Sequence, residues 1–126
     1  MKQLFFIFMT IFSVQIYGQN DNNFFTALKN NNIDILETYL EDNIDFCLFE
    51  DQQILGKKIA MKKLNIFLNN HKILSVDVIH KGTSKDKTSQ YKVAKLTTSK
   101  ETFRVFVFAA GEIGAKSVKE IRIDKF

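Results

Sequence analysis

The sequence predicts an α+β domain in which helices come first and a curved antiparallel sheet follows. Three observations carry this. Apolar residues recur at helical spacing up to about residue 69, and from Ile73 onward the period changes from 3.6 to 2. The later runs are joined by short polar segments, and short connections favour antiparallel neighbours, because parallel ones need crossovers of about a dozen residues or more. The expected order is α-α-β-α-β-β-β-β, with helices covering one face of the sheet.

Ahead of the domain stands a leader. Met1-Lys2 gives a positive start, Leu4 to Val14 (LFFIFMTIFSV) carries no charge, and Gly18 is a small residue at a cleavage point. This is the layout of a secretory signal peptide, whose apolar segment runs to about 7–15 residues, whereas a spanning helix needs about 20. We therefore expect residues 1–18 to be removed and residues 19–126 to form a single exported domain, periplasmic or secreted, with no stable membrane span after cleavage.

Within the domain, Phe24, Ala27 and Leu28 fall at i, i+3, i+4, with Asp21 as the expected N-cap. The Asn30 to Asn32 cluster ends that helix and starts a second, with Asn32 as cap and Ile33, Leu36 and Leu40 on one face. Asparagine suits both tasks, since it tolerates left-handed backbone and competes for local hydrogen bonds. Asn43 to Glu50 (NIDFCLFE) reads as a strand, and about Lys57 to Asn69 as a longer helix buried through Ala60, Leu64, Phe67 and Leu68. Lys58, Lys62 and Lys63 form its solvated face. Four strands follow: Ile73–Lys81, Gln90–Thr98, Thr102–Ala110 and Lys116–Lys125.

Composition narrows the function classes. The net charge of +4 falls to +3 once Lys2 is removed, and the lysines are spread along the chain, so nucleic acid is not an expected partner. Cys47 is the single cysteine and sits in an apolar run, which excludes an intramolecular disulfide and reads as a small buried hydrophobe. An exported domain of this kind must hold together through its apolar core, for which phenylalanine supplies the material.

Five segments carry a resemblance to a known family: Ala27 to Asn30 (ALKN), Val78 to Ser84 (VIHKGTS), Leu96 to Ser99 (LTTS), Thr102 to Phe106 (TFRVF) and Ile121 to Lys125 (IRIDK). The last three lie at the spacing of consecutive strands. On them the chain resembles the small exported bacterial proteins of the domain of unknown function 4783 family, over nearly the whole length after the leader. It departs in its Asn-rich first helices and its Gly111–Gly114 turn. The resemblance implies the cone-shaped nuclear transport factor 2-like (cystatin-like) fold. It implies no activity, because the family has none assigned.

That fold encloses a pocket between sheet and helices, and strand parity sorts the residues that could face it. Val76, Val78 and His80 share one face of their strand; Arg104, Phe106 and Phe108 share one face of theirs; Val118, Glu120, Arg122 and Asp124 oppose Ile121 and Ile123. His80 as a general base needs an orienting carboxylate, and Asp77 points away, leaving Asp45. His71 closes the third helix, where a cation suits the dipole. Arg104 and Arg122 either pair with Glu120 or Asp124 or anchor an anionic ligand, with His80 and Lys81 as further binding candidates. No cofactor motif, nucleophile elbow or CxxC is present, and two lone histidines do not make a metal site.

Two functions fit. The leading one is a non-catalytic exported domain binding a small ligand or a protein partner through the cone pocket or the outer sheet face. A homodimer is expected, because Thr102–Ala110 is apolar on both faces and helices cover only one. The alternative is a pocket enzyme of the ketosteroid isomerase or dehydratase type, with Asp45, His80, Tyr91 and Tyr39 as its catalytic candidates.

Overall fold

The computed structural model describes residues 23–112 and 116–126. The expected leader over residues 1–18, the expected cap at Asp21 and residues 113–115 lie outside the described residues. None of the described helices is long and apolar enough to cross a membrane.

Helix α1 occupies residues 23–29 and buries Phe24, Phe25, Ala27 and Leu28. Asparagine closes it as the sequence suggested. Asn31 adopts φ 54°, and the amides of Asn31 and Asn32 donate back to the carbonyls of Leu28 and Ala27. That is a Schellman closure, with Asn in the left-handed position more often taken by glycine. Asn32 then caps α2 (Ile33–Thr38), its side chain accepting from the Ile35 amide. One residue ends a helix and starts the next.

Strand β1 (Leu40–Leu48) begins earlier than its pattern indicated, so Leu40 belongs to the sheet and not to the second helix. A strand the sequence did not announce follows: β2 (Asp51–Gly56), antiparallel to β1. Its residues Asp51 to Ile54 are all exposed, so no apolar alternation marks it. The turn that joins the two strands is equally silent. Phe49 stands at φ 60°, a conformation that costs a bulky residue about 1–3 kcal/mol, without glycine or asparagine to signal it. Packing holds it there: the Phe49 ring meets Phe67 and Phe103 at 6.0 and 5.9 Å, and its amide donates to the Ile123 carbonyl.

Helix α3 (Lys57–Asn69) follows directly, with the expected face buried and Met61 added to it. His71 ends it, Nδ1 lying 2.8 Å from the Phe67 carbonyl, and its ring packs on Phe67 and Phe103. Then come β3 (Ile73–Thr83), β4 (Ser89–Thr98), β5 (Thr102–Ala110) and β6 (Ser117–Lys125), an antiparallel meander within a residue or two of its sequence bounds.

The sheet has six strands in the order β2-β1-β6-β5-β4-β3, where five were expected. It is mixed and not purely antiparallel: β1 and β6 run parallel, Phe46 beside Ile121 and Leu48 beside Ile123. The chain between them supplies the long crossover that parallel neighbours require. Helices cover one face. Under them Leu28, Leu36, Ile44, Phe46, Met61, Leu64, Leu96, Phe103, Val105, Ile121 and Ile123 are fully buried.

Alternation along β5 therefore divides it cleanly. Phe103, Val105 and Val107 lie under the helices, while Phe106 and Phe108 are half-buried on the opposite, outer face. Replacing Phe103 with Ala should cost about 3–5 kcal/mol, as for large core truncations. Phe106→Ala should cost distinctly less, below the ~1.5–3 kcal/mol of a fully buried side chain. Urea denaturation of the two variants checks the ranking; equal losses would mean that the two faces are wrongly assigned.

Candidate functional site

The outer face is where most of the sequence-predicted residues gather, and two irregularities put them there. On β3 the ladder passes from Val78 opposite Ala94 to His80 opposite Val93, so Ile79 is an extra residue. The bulge turns His80 to the outer face, away from Val76 and Val78, and corrects the shared face that simple parity gave. On β6 the ladder passes from Val118 opposite Ala109 to Glu120 opposite Phe108, with Lys119 extra. Val118 is accordingly buried with Ile121 and Ile123, while Glu120, Arg122 and Asp124 look outward.

At the centre lies an aromatic group built on a glycine. Tyr91 stands opposite Gly82, and its ring lies over that residue so closely that a Cβ on Gly82 would meet Cε1 at 2.3 Å. Held flat, Tyr91 packs beside Phe106 with centroids 5.9 Å apart and planes 24° from parallel. Its hydroxyl lies 2.8 Å from Nε2 of His80. Two of the four catalytic candidates thus meet, but on an open face and without a carboxylate.

The others do not join them. Asp45 is on β1, four strands from β3 and roughly 19 Å away at ~4.8 Å per strand, so it cannot orient His80. It accepts instead from Gln52 Nε2, at 3.1 and 3.0 Å to its two oxygens. Tyr39 lies at the end of α2, edge-on to Phe24.

The arginines part company. Arg122 Nε lies 2.6 Å from Glu120 Oε2, although its N–H points off the line and makes no hydrogen bond, so the contact is one of charge. Arg104 is exposed and sets its guanidinium 5.0 Å from the centre of the Phe126 ring, where Lys95 approaches to 5.1 Å. Cys47, buried beside Arg122 in the ladder, donates its thiol to the Phe49 carbonyl. Burial pushes its pKa up, which makes it a poor nucleophile.

On the helix side, a groove of about 210 Å³ opens between β1, β2 and α3, lined by Phe46, Leu48, Asp51, Gln53, Lys63 and Ile66. Lys63 spans it to Asp51 and Gln53. It is smaller than the ~300 Å³ at which pockets for drug-sized ligands begin. Among the described residues no group of three His, Cys, Asp or Glu side chains could hold a metal ion.

The profile of the family described as Domain of unknown function (DUF4783) matches residues 21–124. The chain belongs to the DUF4783 family. A DUF4783 protein from Bacteroides uniformis is 30% identical, with a TM-score of 0.73 over 81% of this chain and 93% of its own. One from Bacteroides ovatus is 24% identical, with a TM-score of 0.73 over 81% and 91%. An NTF2-like protein from Cytophaga hutchinsonii, at 14% identity and a TM-score of 0.63 over 89% and 97%, shares the fold. No functionally curated protein matches the chain. The fold of this DUF4783 member is therefore NTF2-like, as its sequence resemblance implied.

A feature that sequence reading passed over is the β3–β4 arm. Residues 81–95 hold five lysines and one acid, an excess of four, which equals the excess of the whole chain; the remainder is balanced. The lysines are spread along the chain, five of sixteen falling here, but the net positive charge is concentrated in this segment because acids balance the others. Counting charge by segment would have shown it. At the tip, Asp86 Oδ1 accepts from the hydroxyls of Ser84 and Thr88 at 2.7 Å each and from the Thr88 amide at 3.1 Å. The Ser84 and Thr88 bonds hold the carboxyl down to a pKa of about 2.

Two predictions follow from this geometry. Gly82→Ala should expel the Tyr91 ring and break its bond to His80, so the His80 Nε2 resonance should shift as it does in Tyr91→Phe. An unchanged resonance would contradict the close approach. Asp86 should titrate near pH 2 by carboxyl NMR. Because its folded pKa lies below the unfolded value of about 3.9, the loop's stabilisation should be present above that value and fade as pH falls through 2.

Proposed function

We propose that this protein is an exported, non-catalytic binding domain whose outer sheet face is its recognition surface, and that a second copy of the chain is its first partner. The observation that carries this is the half-buried group of Tyr91, Phe106 and Phe108, on a face that no described helix covers. Contiguous apolar surface of this kind marks interfaces. The charges around it are self-complementary: Lys95, Arg104 and Arg122 on one side of the balance, Asp77, Asp45, Glu120 and Asp124 on the other. Under a two-fold axis, Lys95 on β4 and Arg104 on β5 of one copy can meet Asp45 on β1 and Asp124 on β6 of its partner. Arg104 and Arg122 would then lie at the rim, with His80 and Lys81 towards the arm. Against the pocket-enzyme alternative stands the openness of the His80–Tyr91 pair, since general acid–base work draws on enclosure and a tuned pKa.

Light scattering on the purified protein should give twice the chain mass, and Phe106→Glu should halve it while leaving the fold intact by circular dichroism. A wild-type monomer at micromolar concentration would defeat the dimer. Export is checked separately by intact mass of the native product, expected to begin at Gln19; a membrane-bound product retaining Met1 would overturn it.

A further inference from the structure

The β3–β4 arm carries a charge distribution that the outer-face reading does not use. Beyond the Ile79 bulge, Lys81 stands directly opposite Lys92, both on the helix side of the sheet, and Lys85 and Lys87 flank the bound Asp86 at the tip. Lys81, Lys85 and Lys87 are exposed and make no ion pair among the described residues. Lys57, Lys58, Lys63, Lys119 and Lys125, by contrast, each reach a carboxylate. The acids close to the arm are few. Asp86 belongs to it, Asp77 stands opposite Lys95 on the outer face, and Glu112 sits in the β5–β6 turn, which touches the arm through Gly111 donating to the Thr88 carbonyl; Lys116 offsets Glu112 on that turn.

The tip is also shaped. Asp86 draws Ser84 and Thr88 together, and the Ser89 amide donates to Ser84 Oγ, so a hydrogen-bonded loop holds out the two lysines. Short of the basic tip the edge strand exposes Val78 at 41% and Ile79 at 50%, and Leu74 is exposed at its far end. An edge with basic groups at its end and apolar ones along its flank matches the layering of a membrane surface, where phosphate headgroups overlie acyl chains. Nucleic acid would offer the phosphates without a place for Val78 and Ile79.

We infer that the β3–β4 arm is a docking site for an anionic phospholipid surface, with Lys81, Lys85 and Lys87 meeting headgroup phosphates and Ile79 and Val78 entering the interface. The inference is independent of self-association through the outer face, because it uses the edge and tip of the sheet. Binding is peripheral and salt-sensitive, since each lysine near an anionic leaflet contributes about five-fold to partitioning and the attraction decays within a Debye length.

The test is co-sedimentation of the full chain with vesicles of mixed phosphatidylglycerol and phosphatidylcholine, against vesicles of phosphatidylcholine alone. The apolar leader is common to every sample and drops out of the difference. The wild type should prefer the anionic vesicles, less so as salt is raised. The triple variant Lys81→Gln/Lys85→Gln/Lys87→Gln should lose about a hundred-fold of that preference with its circular dichroism unchanged. Ile79→Ser alone should weaken binding to anionic vesicles without altering the salt slope. Equal binding to both vesicle types, or an undiminished preference in the triple variant, would overturn the inference. So would displacement by inorganic phosphate at constant ionic strength, which would make the arm a site for the free anion, or tighter binding to duplex DNA than to the anionic vesicles.

Discussion

The structure depends on the parallel pairing of β1 with β6. It is the contact that joins the helical first half of the chain to the meander, and it seats Phe46 and Leu48 beside Ile121 and Ile123 under the helices. Because it joins segments far apart in sequence, its loop-closure entropy must be recovered from buried side chains. The recovery is visible in the aromatic cluster behind it. Phe49, which turns β1 into β2, packs on Phe67 of α3 and Phe103 of β5, and His71 closes the cluster from the helix end. One cluster thus binds α3, the β1–β2 turn and the meander, and it holds Phe49 in a backbone conformation that it would not choose alone.

With the helix side filled by its core, the chemistry of the molecule is displaced to the outer face and the arm. Two bulges decide what appears there. The one at Ile79 brings His80 to Tyr91, and the one at Lys119 sends Val118 inward while leaving Glu120 and Arg122 outward. Bulges of this kind re-aim side chains at the cost of local pairing. They also blunt an exposed edge, which is useful on β3, whose outer rim carries Leu74, Val78 and Ile79. Membership of the DUF4783 family fixes the fold and leaves activity open, and these surfaces are where function can reside.

Much of the fold was legible. The α3 face, the four meander strands and the Asn caps follow from local rules of periodicity and capping, and local rules leave local marks. β2 left none, because a polar edge strand buries nothing and its turn contains neither glycine nor asparagine. Of the candidate site, the pairing of Arg122 with Glu120 was within reach of alternation along one strand. The meeting of His80 with Tyr91 was not, since parity fails at a bulge and nothing in the residues announces one.

By itself the sequence determined the α-α-β-α-β-β-β-β order of the elements it saw, the helix faces, the separation of Phe103, Val105 and Val107 from Phe106 and Phe108 on β5, and the family to which the chain belongs; which of those two faces is the core was decided by the packing of the helices. All of these depend on spacing along the chain or on residues in runs. Tertiary structure alone decided which strands are neighbours, that β1 lies parallel to β6, that Gly82 makes room for the Tyr91 ring, and that Asp45 stands too far from His80 to serve it. These depend on distances through space, set by how the whole core packs.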